Sequence, residues 1–173
     1  MNKKTLYLVH AAVIAALYVV LTFLANALGL SSGIIQVRFS EALTVLPYFT
    51  PAAVPGLFVG CILANLLTGC MPLDVLFGSL ATLLGALGTC FLCYRPHKSG
   101  TMPKTASKFT QLLAPLPPII ANTLIVPFVL AYVYQFEGSI PYFMLTVGIG
   151  EVISCGVLGL ILLNVLRRYY KYL

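Results

Sequence analysis

From Leu6 to Leu28 the chain carries no Asp, Glu, Lys or Arg. Wound as an α-helix at about 1.5 Å per residue, a run of that length crosses the roughly 30 Å hydrocarbon layer of a bilayer. Similar runs recur along the chain, which is 60% hydrophobic and 8% charged, far from the roughly 25% charge of soluble domains. The sequence therefore predicts an all-α integral membrane protein, with 1–173 forming a single transmembrane domain and little chain left for a soluble one. A signal peptide is the competing reading of the first run, because Lys3 and Lys4 precede it and Ala25-Asn26-Ala27 mimics a cleavage site. Its apolar core exceeds the roughly 7–15 residues of such segments, so it is assigned as a span.

Six transmembrane helices are expected. After Leu6–Leu28, a short segment over Ser40–Thr50 is broken by Pro47, Pro51 and Pro55, giving a short kinked helix or one that continues past Pro47. The third runs from Val54 to Leu67 and contains Gly56-x-x-x-Gly60, a spacing that lets helix backbones approach closely. The others cover Leu73–Tyr94, Pro117–Tyr134 and Tyr142–Leu166, with a polar loop from Arg95 to Gln111.

Lys and Arg are retained on the cytoplasmic side of a membrane. With the N-terminus inside, that side holds Lys3, Lys4, Arg95, Lys98, Lys104, Lys108, Arg167, Arg168 and Lys171, against Arg38 alone outside. Both termini are thus expected to be cytoplasmic. This asymmetry and anionic inner-leaflet lipid account for the net charge of +6, which gives no argument for nucleic acid. The five cysteines are an odd number and fall mostly in apolar segments, where they act as small hydrophobes. Cys90-x-x-Cys93 with His97 is the weak alternative, a metal or redox site without a second ligand pair.

An ionisable group inside a span is disfavoured by about 2.5–3.5 kcal/mol on the mildest scale. Glu151, in mid-segment, should therefore face a polar cavity or hold a partner helix. Asp74 begins the fourth helix, where it suits either a ligand or a helix N-cap. Asn65 is expected near the outer end of its helix, and Asn122 deeper, where it bridges helices or meets a ligand. Arg38 and Glu41 are three apart, the spacing of a local ion pair or of two ligand contacts, and Gln36 precedes them. Gln36, Arg38, Glu41, Asn65 and Asp74 gathered above Glu151 form a mixture of donors and acceptors that suits a flat polar heterocycle more than an ion or a lipid. There is no GxxxxGK[ST], no HExxH and no nucleophile motif near His10 or His97, so neither a P-loop ATPase nor an enzyme is indicated, and no metal site is expected.

The first helix also carries Ala11-Ala12 and Ala15-Ala16, two overlapping AxxxA spacings that make a small-residue face, either for internal packing or for a partner. With this face, IQVRFSEALTVLPYFTPAAVPGLFVGCILANLL at 35–67, DVLFGSLATLLGAL at 74–87 and GIGEVIS in the sixth segment, the chain resembles the QueT family. These are substrate-binding S components of energy-coupling factor (ECF) transporters, assigned to queuosine precursors. The resemblance implies an S-component-like bundle in the cell membrane that captures a deazaguanine from outside: queuine or its aminomethyl or cyano precursors. It implies docking through Ala11, Ala12, Ala15 and Ala16 on a transmembrane coupling protein driven by two ATPase subunits, so that ATP is used by partners and this chain needs no cofactor. Glu151 or Asp74 would take the guanine edge, Asn65, Gln36 or Arg38 would donate to its carbonyl, and Tyr48, Phe77, Tyr142 or Phe143 would stack on the ring. The basic loop from Pro96 to Lys108 departs from the family pattern. An S component for another vitamin-like heterocycle and a self-sufficient small-solute carrier are the alternatives.

Overall fold

The computed structural model describes residues 2–31, 35–94 and 108–169. Most of the basic loop, with Arg95, His97, Lys98 and Lys104, lies outside them, as does Lys171. The described residues are helical, without strands: α1 (Lys3–Ala27), a 3-10 helix (Phe39–Tyr48), α2 (Ala53–Leu67), α3 (Pro72–Cys93), the short α4 (Lys108–Leu113), α5 (Leu116–Tyr132), α6 (Ile140–Glu151), a π-helical turn (Val152–Leu158) and α7 (Gly159–Tyr169). Four helical stretches are long and apolar enough to cross a membrane: Lys3–Ala27, Pro72–Cys93, Lys108–Tyr132 and Ile140–Tyr169. The third and second expected spans are shorter, α2 having 15 residues and the 3-10 helix 10.

The second segment departs most from expectation. It runs one residue past Pro47 and ends at Tyr48, because Pro47 lacks an N–H and Thr50-Pro51 turns the chain into α2. Runs of 3-10 helix beyond three or four residues are uncommon. Tertiary packing holds this one: Ser40 through Val45, Pro47 and Tyr48 are all buried, and it contacts α1, α2, α3, α7 and the π turn. On one side Leu43 joins Ile14, Tyr18, Leu57, Cys61 and Ala86. On the other, Val45 and Tyr48 pack with Cys93, Ala114 and Leu163.

Close backbone approach sets the helix pairs. A Cβ on Gly56 would lie 2.7 Å from the Ala11 carbonyl oxygen, and one on Gly60 would lie 2.8 Å from Tyr18 Cβ and 3.0 Å from Ala15 Cα. The Gly56–Gly60 spacing therefore seats α2 on the Ala11/Ala15 side of α1. That splits the small-residue face, since Ala15 is buried and Ala11 partly so, whereas Ala12 and Ala16 are exposed. Around the outside runs a belt of exposed large apolar side chains, including Val13, Val20, Leu66, Leu76, Leu84 and the 90%-exposed Phe91. So much apolar surface suits lipid, not water.

Candidate functional site

The polar residues of the spans converge at the end of the bundle where α1 finishes, α2 turns into α3 and α5 connects to α6. A cavity of about 370 Å³ opens there, lined by Thr22, Asn26, Ser31, Gln36, Arg38, Asn65, Thr68, Asp74, Tyr134 and Phe136 among others. Beneath it a space of about 30 Å³ is lined by Gln36, Arg38, Glu41, Asp74, Gly78, Thr82, Asn122 and Glu151. Gln36, Arg38 and Asp74 border both, so the smaller space is the floor of the larger. All seven polar residues singled out from the sequence line one or the other. The upper volume falls in the roughly 300–1,000 Å³ range of small-molecule pockets.

Glu41 is 2% exposed and held from two helices: Tyr18 of α1 donates its hydroxyl to Oε1, and Asn122 of α5 donates to Oε2 at 3.5 Å. Asn122 thus does bridge elements, and it does so at the cavity floor. Arg38 lies within electrostatic range of Glu41 and Asp74, but Glu41 is fixed by Tyr18 and Asn122 and not by a simple three-residue pairing.

Glu151 ends α6 and accepts from Cys155 Sγ at 3.0 Å. Thr44 Oγ1 donates to Cys155 Sγ at 3.4 Å, and Cys155 Sγ also approaches the Glu41 carbonyl at 3.5 Å. The π turn that follows Glu151 packs on the extended segment before the 3-10 helix, where the Arg38 N–H donates to Ser154 Oγ at 3.1 Å. Gly150 permits this, because any Cβ there would collide with the Gln36 carbonyl. Glycine therefore brings Gln36 and Arg38 against the Glu151 helix.

Asp74 does not cap α3. The cap position is Met71, and the Asp74 carboxylate, 6% exposed, accepts from Tyr134 at 2.8 Å across the mouth of the cavity. The Tyr134 hydroxyl in turn accepts from the Met71 N–H at 3.3 Å. Burial and the Asp74 hydrogen bond push the Tyr134 phenol above its ordinary range, so it remains a donor at neutral pH. Asn65, 2% exposed, places its Nδ2 3.2 Å from the position a Gly78 Cβ would take, and Asp74 Oδ1 lies 3.5 Å from the same point. The missing side chain of Gly78 leaves an acceptor and a donor facing one small space.

Glu41, Glu151 and Cys155 present ligand atoms within 4.8 Å of one another, the one such metal-capable group found among the described residues. Tyr18 and Asn122 direct hydrogen-bond donors onto the Glu41 carboxylate, and the Cys155 thiol directs one onto Glu151.

The expected ring partners are elsewhere. Tyr48 lies in the core at the far end, Phe77 and Tyr142 are exposed on the flanks, and Phe143 packs against Tyr142 and Gly138. The aromatic wall is instead Tyr134 with Phe136, stacked at 5.6 Å. Tyr134, expected as the last residue of the fifth span, lies beyond the end of α5 at Tyr132 and follows with Phe136 in a loop, where periodicity carries no signal. Tyr18 was hidden by its apolar neighbours, and Cys155, taken from the sequence as a small hydrophobe, was missed although it stands one helical turn beyond Glu151.

Apolar flanks around a buried cluster of charged side chains define a multi-pass membrane protein with a solute-sized polar cavity. The QueT transporter family model matches residues 8–168. The chain belongs to that family, and as such is a cell-membrane protein. It is similar to the queuosine precursor transporter QueT of Lactococcus lactis subsp. cremoris (strain MG1363), at 37% identity over 83 residues. That alignment covers 48% of this chain and 48% of the relative, about half the length of each. No solved structure matches the chain.

Proposed function

We propose that the protein is the substrate-binding subunit of an ECF-type importer and captures a deazaguanine, a queuosine precursor or queuine, from outside the cell. In this reading the chain crosses the membrane six times, with the 3-10 helix as the short second crossing, both termini cytoplasmic and the cavity facing out. Its partners are a transmembrane coupling protein and two ATPase subunits, which use the ATP. The family membership and the name of the lactococcal relative support the substrate class. The observation that carries the reading is the cavity itself, where Glu41, Asp74, Glu151, Arg38, Gln36, Asn65 and Asn122 surround one space.

A deazaguanine has a ring N–H and an adjacent amino group that together match one carboxylate as a bidentate pair, and a carbonyl that needs a donor. Glu151 at the floor is assigned the N–H and amino edge, and Arg38 or Gln36 the carbonyl. Tyr134 and Phe136 cover the ring. Titration calorimetry of the detergent-purified protein with queuine, its aminomethyl and cyano precursors and guanine tests this. Binding of deazaguanines that weakens in Glu151→Gln supports it, and folded protein that binds none of them overturns it. Reconstitution alone and with the ATPase module then separates coupled import from a self-sufficient carrier.

A further inference from the structure

Charge is partitioned sharply in this molecule. The chain has four acidic residues and ten Lys and Arg, for a net charge of +6. Three of those four acids, Glu41, Asp74 and Glu151, line the cavity and its floor, while Arg38 is the one basic side chain among the described residues that does so. The remaining lining is neutral. A basic protein thus surrounds its cavity with an excess of carboxylates.

The hydrogen bonds divide these carboxylates by role. Glu41 is taken by Tyr18 and Asn122, next to Arg38. Glu151 stands at the floor within 4.8 Å of Glu41, and the reading above gives it the neutral N–H edge of the ring. Asp74 is left over. Tyr134 occupies its Oδ2, and its Oδ1 borders the space that Gly78 leaves open beside the Asn65 amide. A buried carboxylate facing open space in a low-dielectric setting is stabilised by a cation far more than by a neutral group.

Resting on the deazaguanine reading, we propose that the ligand is a cation: a flat heterocycle whose substituent carries a protonated amine, which Asp74 binds at Gly78 beneath Tyr134. Asp74 is then the residue that selects among deazaguanines. The protonated aminomethyl compound meets a carboxylate there, and the cyano compound presents a linear, uncharged acceptor to the same carboxylate, an unfavourable contact.

The test is competitive titration of the purified full chain with 7-aminomethyl- and 7-cyano-7-deazaguanine, repeated in Asp74→Asn, with melting curves to show that the variant is folded. Wild-type protein should prefer the aminomethyl compound by about tenfold or more, the scale of a charge-assisted hydrogen bond. In Asp74→Asn the ratio between the two ligands should collapse towards one. Equal binding, or preference for the cyano compound, in wild type overturns the proposal and leaves the deazaguanine reading intact. A preference that survives Asp74→Asn overturns the role of Asp74. Should the variant not fold, the wild-type ratio alone decides whether the site selects a cation. Binding of neither compound overturns both readings.

Discussion

Tyr134 donates its hydroxyl to Asp74 Oδ2 across 2.8 Å, joining the α5–α6 loop to the first turn of α3 over the cavity mouth. Gln135 next to it holds a left-handed backbone at φ 52°, uncommon for a residue with a side chain. Tyr134→Phe keeps the ring and removes the bond. Stability should fall by about 0.5–1.5 kcal/mol, and bound ligand should leave faster because the mouth is tied less firmly. Thermal melting and dissociation rates by stopped-flow check the two effects. Because the phenol is raised by burial and by Asp74, the bond's contribution is fully present at neutral pH. It is lost only as pH climbs through the folded value, above that of the free phenol.

The two sides of α1 should respond oppositely to bulk. Gly60→Leu drives a side chain into Tyr18 and Ala15, and overpacking of this kind is destabilising by about 1–3 kcal/mol. Ala12→Trp and Ala16→Trp project from the exposed side and should leave the melting temperature and ligand affinity unchanged. If that side docks on the coupling protein, they should abolish uptake in the assembled transporter. Loss of ligand binding in the tryptophan variants would count against docking as their role.

The helical architecture was legible because lipid imposes one rule, internal satisfaction of the backbone, and long apolar runs express it directly. The polar set was legible for the same reason, since Glu151 and Asn122 stand out only against an apolar background. What the pattern could not give was helix rotation and loop path. Ala11 and Ala12 are adjacent in sequence yet face a helix and open surface respectively, and that division depends on where Gly56 and Gly60 seat α2. Tyr134 and Phe136 reach the cavity through a turn that has no period to read. The long 3-10 helix contradicts local preference and exists because its neighbours enclose it on several sides.

Gly150 tests whether the approach of the Gln36 segment matters for the site. Gly150→Ala places a methyl group against the Gln36 carbonyl and should push residues 35–38 away from the π turn, weakening the bond from the Arg38 N–H to Ser154. Affinity should fall by about tenfold or more, with a loss of stability of about 1–3 kcal/mol. Gly156→Ala is the control, because its Cβ would meet only Val152 Cγ1 at 3.7 Å and Ile119 Cδ1 at 3.9 Å. It should change neither calorimetric affinity nor melting temperature.

Glu41 and Glu151 are neighbours with different supports, and their isosteric variants should separate structure from binding. Glu41→Gln replaces one of the two oxygens that accept from Tyr18 and Asn122 with an NH2 group that can only donate. It also removes negative charge beside Arg38, so the fold should lose about 2 kcal/mol or more. Glu151→Gln keeps a carbonyl oxygen and disturbs only the Cys155 thiol and a contact with Asn122, at a site open to the cavity. Its melting temperature should stay within a few degrees of wild type, the roughly 2–4 °C that about 1 kcal/mol represents for a chain of this size. Its deazaguanine affinity should drop by about tenfold to a hundredfold, as expected when a charged hydrogen-bond acceptor is neutralised. The opposite pattern, a destabilised Glu151→Gln that still binds and a stable Glu41→Gln that does not, would move the ring anchor from Glu151 to Glu41. Paired melting and titration of the two variants and of the double variant decide it, and the double variant reports how strongly the two carboxylates are coupled.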